Sequence, residues 1–170
     1  MKISKSNRLQ KSIDGTDLVE NVIGQIEEDT RIFAITRGQI SMIDAIKHTI
    51  KSVSRFGLPH VSVWTWCVAD YEIECFESLV NHNGISGATL VIDRAGSRRN
   101  RELMDKWQKR FGSESVRLCM NHAKIATVSN EKLRVAIRGS MNLNYNPRFE
   151  NLDISVNDGA FDLINEIESG

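Results

Sequence analysis

Residues 121–156 read NHAKIATVSNEKLRVAIRGSMNLNYNPRFENLDISV, and this stretch decides the fold. Residues 122–128 and 133–138 are rich in β-branched and apolar side chains. The polar turn Ser129-Asn130-Glu131-Lys132 separates them, which predicts an antiparallel hairpin. On a strand, His122 and Lys124 leave the same face, because side chains alternate with period two. With the turn at 129–132, Val128 pairs with Leu133 and Gly139 falls opposite His122, leaving open space beside the imidazole; a five-residue loop would shift this register. Ser140 and Asn142 follow at the strand's end. One small region then gathers an imidazole, an ammonium, a hydroxyl and a carboxamide. Those are the groups that phosphodiester chemistry needs: a nucleophile or base, and donors for the non-bridging oxygens.

Upstream of this hairpin, strands and helices alternate. Residues 16–28 read as a short amphipathic helix, part of an N-terminal helical arm over 1–29. RIFAIT, 31–36, is a strand, and Ile40, Ile43, Ile46, Ile50 and Val53 place a helix over 39–55. Strand 60–69, helix 71–82, strand 88–93, helix 98–110 and strand 115–120 follow. Downstream come a short strand over 153–156 and a closing helix over 158–168. Strand–helix alternation ending in a hairpin predicts an α/β fold: a mixed β-sheet flanked by helices on both faces. Residues 30–170 then form a single domain.

The composition agrees with that class. The 170 residues carry 22 Lys and Arg against 22 Asp and Glu, with 41% apolar and 26% charged residues, near the average for globular domains. The apolar run Val61 to Ala69 is far shorter than the roughly 20 residues of a spanning helix, and MKISKSNRLQKSIDG has no apolar stretch behind its basic residues. Cys67, Cys75 and Cys119 make an odd number with no CxxC pair. They predict neither a disulfide framework nor a zinc knuckle, and suit a reducing, cytoplasmic setting. Charge is unevenly spread. Seven basic residues lie between Arg94 and Arg110, and six acidic ones follow from Glu150 onward. Arg98, Arg99 and Arg101 on the basic helix, with Arg148 near the hairpin, are candidates for phosphate contacts, against the plainer reading of a solvated helix face. Trp64 and Trp66 alternate with valines, as core or interface residues do.

His122-Ala-Lys124, followed after a hairpin by Gly139-Ser140-Met141-Asn142, resembles the phospholipase D superfamily signature H-x-K-x4-D-x6-G-S-x-N. Glu150-Asn151 resembles the acidic residue that follows the motif in the small bacterial endonucleases of that superfamily. Two departures stand out: Ser129 occupies the motif's Asp position, and the distance from it to Gly139 is longer than the pattern's. The resemblance implies a phospholipase D-like half-domain whose C-terminal hairpin carries the motif. It also implies chemistry with two histidines, one attacking phosphorus and one protonating the leaving oxygen. The motif occurs once, and His48, His60 and His82 lack its setting, so a homodimer with a composite site on the twofold axis is expected. In that scheme His122 forms a covalent phosphohistidine and its counterpart acts as general acid. Lys124, Ser140 and Asn142 hold the phosphoryl oxygens, and Glu150 orients an imidazole. No metal or cofactor is called for.

The reading this favours is a metal-independent phosphodiesterase, a nuclease acting on DNA or RNA, with no membrane partner. Two others stay open. One is a non-catalytic nucleic-acid-binding module, suggested by Ser129 and the altered hairpin; the other is a phospholipid hydrolase or phosphatidyl transferase. Residue by residue, the plain alternatives are a core histidine at 122, a snorkelling edge lysine at 124, a polar turn at Ser140 and Asn142, and a surface ion pair at Glu150.

Overall fold

Ile32, Ala34 and Thr36 are buried while Arg31, Phe33, Ile35 and Arg37 are exposed, the alternation of a strand with one fully covered face. The computed structural model describes residues 8–12, 19–38, 40–82, 84–95, 101–143 and 147–170. Its strands are β1 (Arg8–Ser12), β2 (Arg31–Arg37), β3 (His60–Thr65), β4 (Gly87–Asp93), β5 (Val116–Cys119), β6 (Ile125–Ser129), β7 (Arg134–Gly139) and β8 (Phe149–Val156). They form one eight-stranded sheet in the order β1-β2-β8-β7-β6-β3-β4-β5. The pairs β1/β2, β3/β4 and β4/β5 are parallel, and the four pairs linking β2, β8, β7, β6 and β3 are antiparallel. The mixed α/β sheet is therefore as expected.

Helices α1 (Val19–Ile23), α2 (Met42–Val53), α3 (Asp70–Asn81) and α4 (Arg101–Phe111) share one core with one face of the sheet. Ile43, Ile46, Ile50 and Val53 are the buried stripe of α2, at the helical spacing expected of them. Its start is set by a capping box, in which the Ser41 amide donates to Asp44 Oδ2 and the Asp44 amide donates to Ser41 Oγ. The fully buried Trp107 of α4 stands edge-on to Phe76 of α3, ring centroids 5.1 Å apart. The other face is covered by α5 (Gly159–Ser169), whose Phe161 and Ile164 pack with Ala136, Trp64 and Ile125. Helices thus lie on both faces, but unequally.

Several boundaries differ from expectation, each for a local reason. The expected helical arm over 1–29 holds, among its described residues, a strand and a helix: β1 pairs in parallel with β2, and α1 ends where Gly24 adopts φ +68°. A left-handed residue stops a helix, so the expected continuation to residue 28 is not formed. β8 begins at Phe149 rather than 153, because Phe149–Asn151 pair with Ile35–Arg37 of β2. The hairpin loop is Asn130–Leu133 rather than 129–132. Asn130 Oδ1 accepts from the amides of Lys132 (2.9 Å) and Leu133 (3.0 Å), and its Nδ2 donates to the carbonyls of Val53 and Gly57. Leu133 is buried in the loop instead of entering the ladder. Val128 consequently pairs with Val135, and Gly139, by continuation of the ladder, meets Lys124 and not His122. A slip of two leaves every side chain on its expected face, where a slip of one would have inverted them.

Candidate active site at one sheet edge

β6 and β8 run against the other six strands, so their first residues share an edge with the last residues of β2, β3, β4, β5 and β7. That edge, where an open α/β sheet ordinarily binds its ligands, holds the motif. His122 and Lys124 enter β6, Ser140 and Asn142 leave β7, and Glu150 is the second residue of β8.

His122 does not sit on a strand, as expected, but in an irregular segment before β6. The residue before it explains why. Asn121 is buried, its Nδ2 donating to the carbonyls of Thr65 (3.2 Å) and Val91 (3.1 Å) and its Oδ1 accepting from the Ala123 amide (2.9 Å). Its own amide donates to Asp93 Oδ2 at 3.0 Å. These bonds tie the chain to the ends of β3 and β4 and delay the ladder until Ile125. His122 is left exposed, with Lys124 Nζ 3.1 Å from its Nδ1 and 3.4 Å from its Nε2; the same ammonium donates to the His122 carbonyl at 2.7 Å. The ring of Trp66 lies 6.4 Å from the imidazole, tilted by 53°.

Gly139 has a use other than the space expected beside the imidazole. A Cβ there would come within 3.0 Å of the Asn151 backbone oxygen, so the glycine allows β7 and β8 to close together. The Ser140 amide donates to that same oxygen at 3.2 Å. Ser140 Oγ accepts from the Asn151 amide at 3.0 Å and donates to Glu150 Oε2, which joins the hydroxyl and the carboxylate into one unit. Asn142 is held by a strap from β3: Leu143 donates its amide to Thr65 Oγ1 (3.1 Å) and accepts from the Ala69 amide (3.2 Å). Oδ1 of Asn142 is buried and meets no donor among the described residues.

Sequence reasoning missed three members of this edge: Asn121, Cys67 and Glu72. Burial raises the Cys67 thiol pKa, with Lys124 opposing and Glu72 adding to the shift, so both charged groups are near enough to act on the thiol. Glu72, in the first turn of α3, is 3% exposed with Oε2 unpartnered among the described residues. Burial raises its pKa above the ordinary value, assisted by Asp44 and opposed by its own amide and Lys47. Only a signal of buried polarity could have marked these residues, and burial is a tertiary property.

The remaining candidates scatter. Arg98 and Arg99 lie outside the described residues. Arg101 is the exposed first residue of α4, and Arg148 is exposed just before β8. Part of the basic helix serves packing: Lys106 pairs with Asp70 at 3.1 Å and Arg110 bonds Asn81, both on α3. Ser129, at the motif's Asp position, pairs with His60 and Arg134. Four steps of about 3.3 Å put it about 13 Å beyond Ile125, at the opposite sheet edge. The other histidines are elsewhere too. His48 Nε2 lies 2.6 Å from the Gly24 carbonyl, His60 Nε2 lies 3.0 Å from Thr89 Oγ1, and His82 closes α3. Among the described residues no three His, Cys, Asp or Glu side chains gather as metal ligands, and no helix is long and apolar enough to cross a membrane.

No family model and no curated protein matches the sequence. Among solved structures, the polyphosphate kinase from Porphyromonas gingivalis is similar over 81% of this chain, with a TM-score of 0.55 and 12% identity. The match takes up 25% of the kinase chain, so this chain spans about a quarter of that protein. At such low identity the likeness is one of fold: the two proteins share a mixed α/β sheet architecture.

Proposed function

We infer that the chain is a phosphodiesterase of the phospholipase D type, a nuclease that cleaves DNA or RNA through a covalent phosphohistidine. The observation that carries this reading is the convergence of His122, Lys124, Asn142 and the Ser140–Glu150 pair on one sheet edge, from segments up to 28 residues apart. The Ser129 departure weighs little against it, because that residue is at the other edge.

The two-histidine scheme then runs through a homodimer. Nε2 of one His122 attacks phosphorus and a P–N bond forms. The P–O bond to the leaving oxygen breaks, and that oxygen takes a proton from the imidazolium of the partner's His122. Water, giving its proton back to that second imidazole, displaces the histidine and restores the starting state. Attack by Nε2 needs the ring proton on Nδ1. The ammonium now 3.1 Å from Nδ1 therefore has to leave the ring, and a non-bridging phosphoryl oxygen is the stronger, charge-assisted acceptor for it. The Asn142 carboxamide supplies a further donor, while the Ser140 hydroxyl, which donates to Glu150 Oε2, holds that carboxylate in place. No step in the scheme uses a metal.

The test is incubation of the protein with plasmid, single-stranded DNA and RNA in excess EDTA, beside His122→Ala. Cleavage that survives EDTA and disappears in the variant supports the scheme. Mixing in an excess of His122→Ala protomers adds the second arm: a composite site loses activity as the square of the wild-type fraction, a monomeric one in proportion to it. Salt-sensitive binding without cleavage would move the assignment to a binding module.

A further inference from the structure

We propose that Trp66 is a base-stacking residue of the His122 site, which takes an unpaired nucleobase beside the scissile phosphodiester and so selects single-stranded nucleic acid. The inference rests on the nuclease reading and adds the form of the substrate. The chain's three tryptophans have different surroundings. Trp107 is fully buried against Phe76 and Phe111, and Trp64 packs against the cluster of Ala136, Phe161 and Ile164 under α5. Trp66 is half-buried and belongs to neither apolar cluster of the fold. Its ring meets that of His122, with centroids 6.4 Å apart and planes tilted by 53°.

Hydrogen bonds on both segments set this meeting. Trp66 follows directly on β3, and the residues on either side of it are tied down. Thr65 Oγ1 donates to the Cys67 carbonyl at 2.6 Å and accepts from the Leu143 amide at 3.1 Å. The Thr65 carbonyl accepts from Asn121 Nδ2 at 3.2 Å. That last bond joins the residue before Trp66 to the residue before His122, so the indole and the imidazole leave adjoining points of two anchored segments. Both residues lie outside the strands, and the separation of the rings itself puts the indole in the site.

Neither core packing nor phosphate binding accounts for an indole at this place. A phosphoryl group is met by Lys124 and Asn142, through charge and N–H donors; the indole adds a broad π-face. A nucleobase hangs one sugar away from its phosphate, so a base next to a phosphodiester at His122 comes within reach of a ring this close. Every base has a π-face, which makes the contact tolerant of sequence. In a duplex both faces are already stacked, and freeing a base loses stacking and pairing. In a single strand a face is open. A phospholipid has no aromatic face to offer.

The experiment is equilibrium binding of the full chain, in EDTA, to a labelled oligonucleotide as DNA and as RNA, to its duplexes, and to an abasic sugar–phosphate chain of the same length. It uses the His122→Asn background, which stops cleavage and keeps a planar side chain beside the indole. Single strands are expected to bind about tenfold more tightly than the abasic chain and the duplexes, and to quench tryptophan emission. Trp66→Ala should remove that advantage while changing the affinity for the abasic chain and the duplexes by less than about twofold. Trp66→Phe should keep most of the affinity and lose most of the quenching, with the melting temperature unchanged; this arm decides the matter even where Trp66→Ala does not fold. Equal affinity for single strand and abasic chain, or quenching that persists in Trp66→Phe, would overturn the stacking role. So would a loss in Trp66→Ala that falls equally on the abasic chain, which would make the indole a support for His122. All three outcomes leave the nuclease reading intact. Failure of both the wild-type and the His122→Asn protein to bind any of these chains would remove the nuclease reading itself, and the stacking role with it.

Discussion

Lys124 points its ammonium back at the residue two before it, 3.1 Å from Nδ1 of His122 and 2.7 Å from the His122 carbonyl oxygen. A lysine that merely covered apolar surface would extend its head into water. Here the head is folded onto the imidazole, and the Cys67 thiol is close enough to sense its charge. Replacing Lys124 with Met keeps most of the stem and removes the charge. The expected result is a fall in kcat/KM of about 100- to 1000-fold, the usual cost of one transition-state donor, with stability nearly unchanged because the side chain is only half-buried. Steady-state kinetics and a thermal melt check both halves; wild-type rates in the variant would remove Lys124 from the chemistry.

Ser129 bears on how the motif should be read. It pairs with His60 and Arg134 at the edge of the sheet away from His122. Restoring the pattern's acid with Ser129→Asp should therefore change turnover by less than twofold. A large gain would mean that the opposite edge reaches the site by a route these contacts do not contain.

Gly139→Ala tests the closeness of β7 and β8. The added methyl would overlap the Asn151 carbonyl, a rigid backbone atom. The two strands must part, at a cost of about 1–3 kcal/mol, as overpacking usually exacts. Ser140 and Glu150 flank that contact, so activity should fall along with the denaturation midpoint. Urea unfolding compares the two proteins, and equal midpoints would show the strands to be more compliant than this packing implies.

Glu72 makes stability depend on pH. Burial raises its pKa in the fold, with Asp44 adding to the shift, so the native state holds the proton more tightly than the unfolded chain. The contribution is full below the unfolded value of about 4.3 and is lost as pH rises through the folded one. Glu72→Gln cannot ionise. Its stability should match wild type at the acid end of that window and exceed it above, a gap visible in melting temperatures measured across pH. Parallel curves would show that Glu72 is solvated in the native state.

The motif and the alternation of elements were legible along the chain because both are local. Period-two and period-3.6 patterns mark β2, β3 and α2 to within a few residues, and the H-x-K and G-S-x-N spacings survive without any partner in space. The register of the hairpin was not, since it turned on Asn130 reaching the carbonyls of Val53 and Gly57, more than 70 residues back in the chain. Asn121, Cys67 and Glu72 were silent for the same reason: nothing in a sequence window marks a polar side chain as buried.

By itself, then, the sequence determined an α/β chain carrying one H-x-K and one G-S-x-N segment around a hairpin, because backbone periodicity and residue chemistry act over a few positions. Only the tertiary structure decided that β6 and β8 run against their neighbours and so bring His122, Lys124, Ser140 and Glu150 to one edge. It alone set Ser129 at the other edge and Gly139 against the Asn151 backbone. Those placements depend on which strands pair, and pairing is settled by burial and hydrogen bonding between segments far apart in the chain.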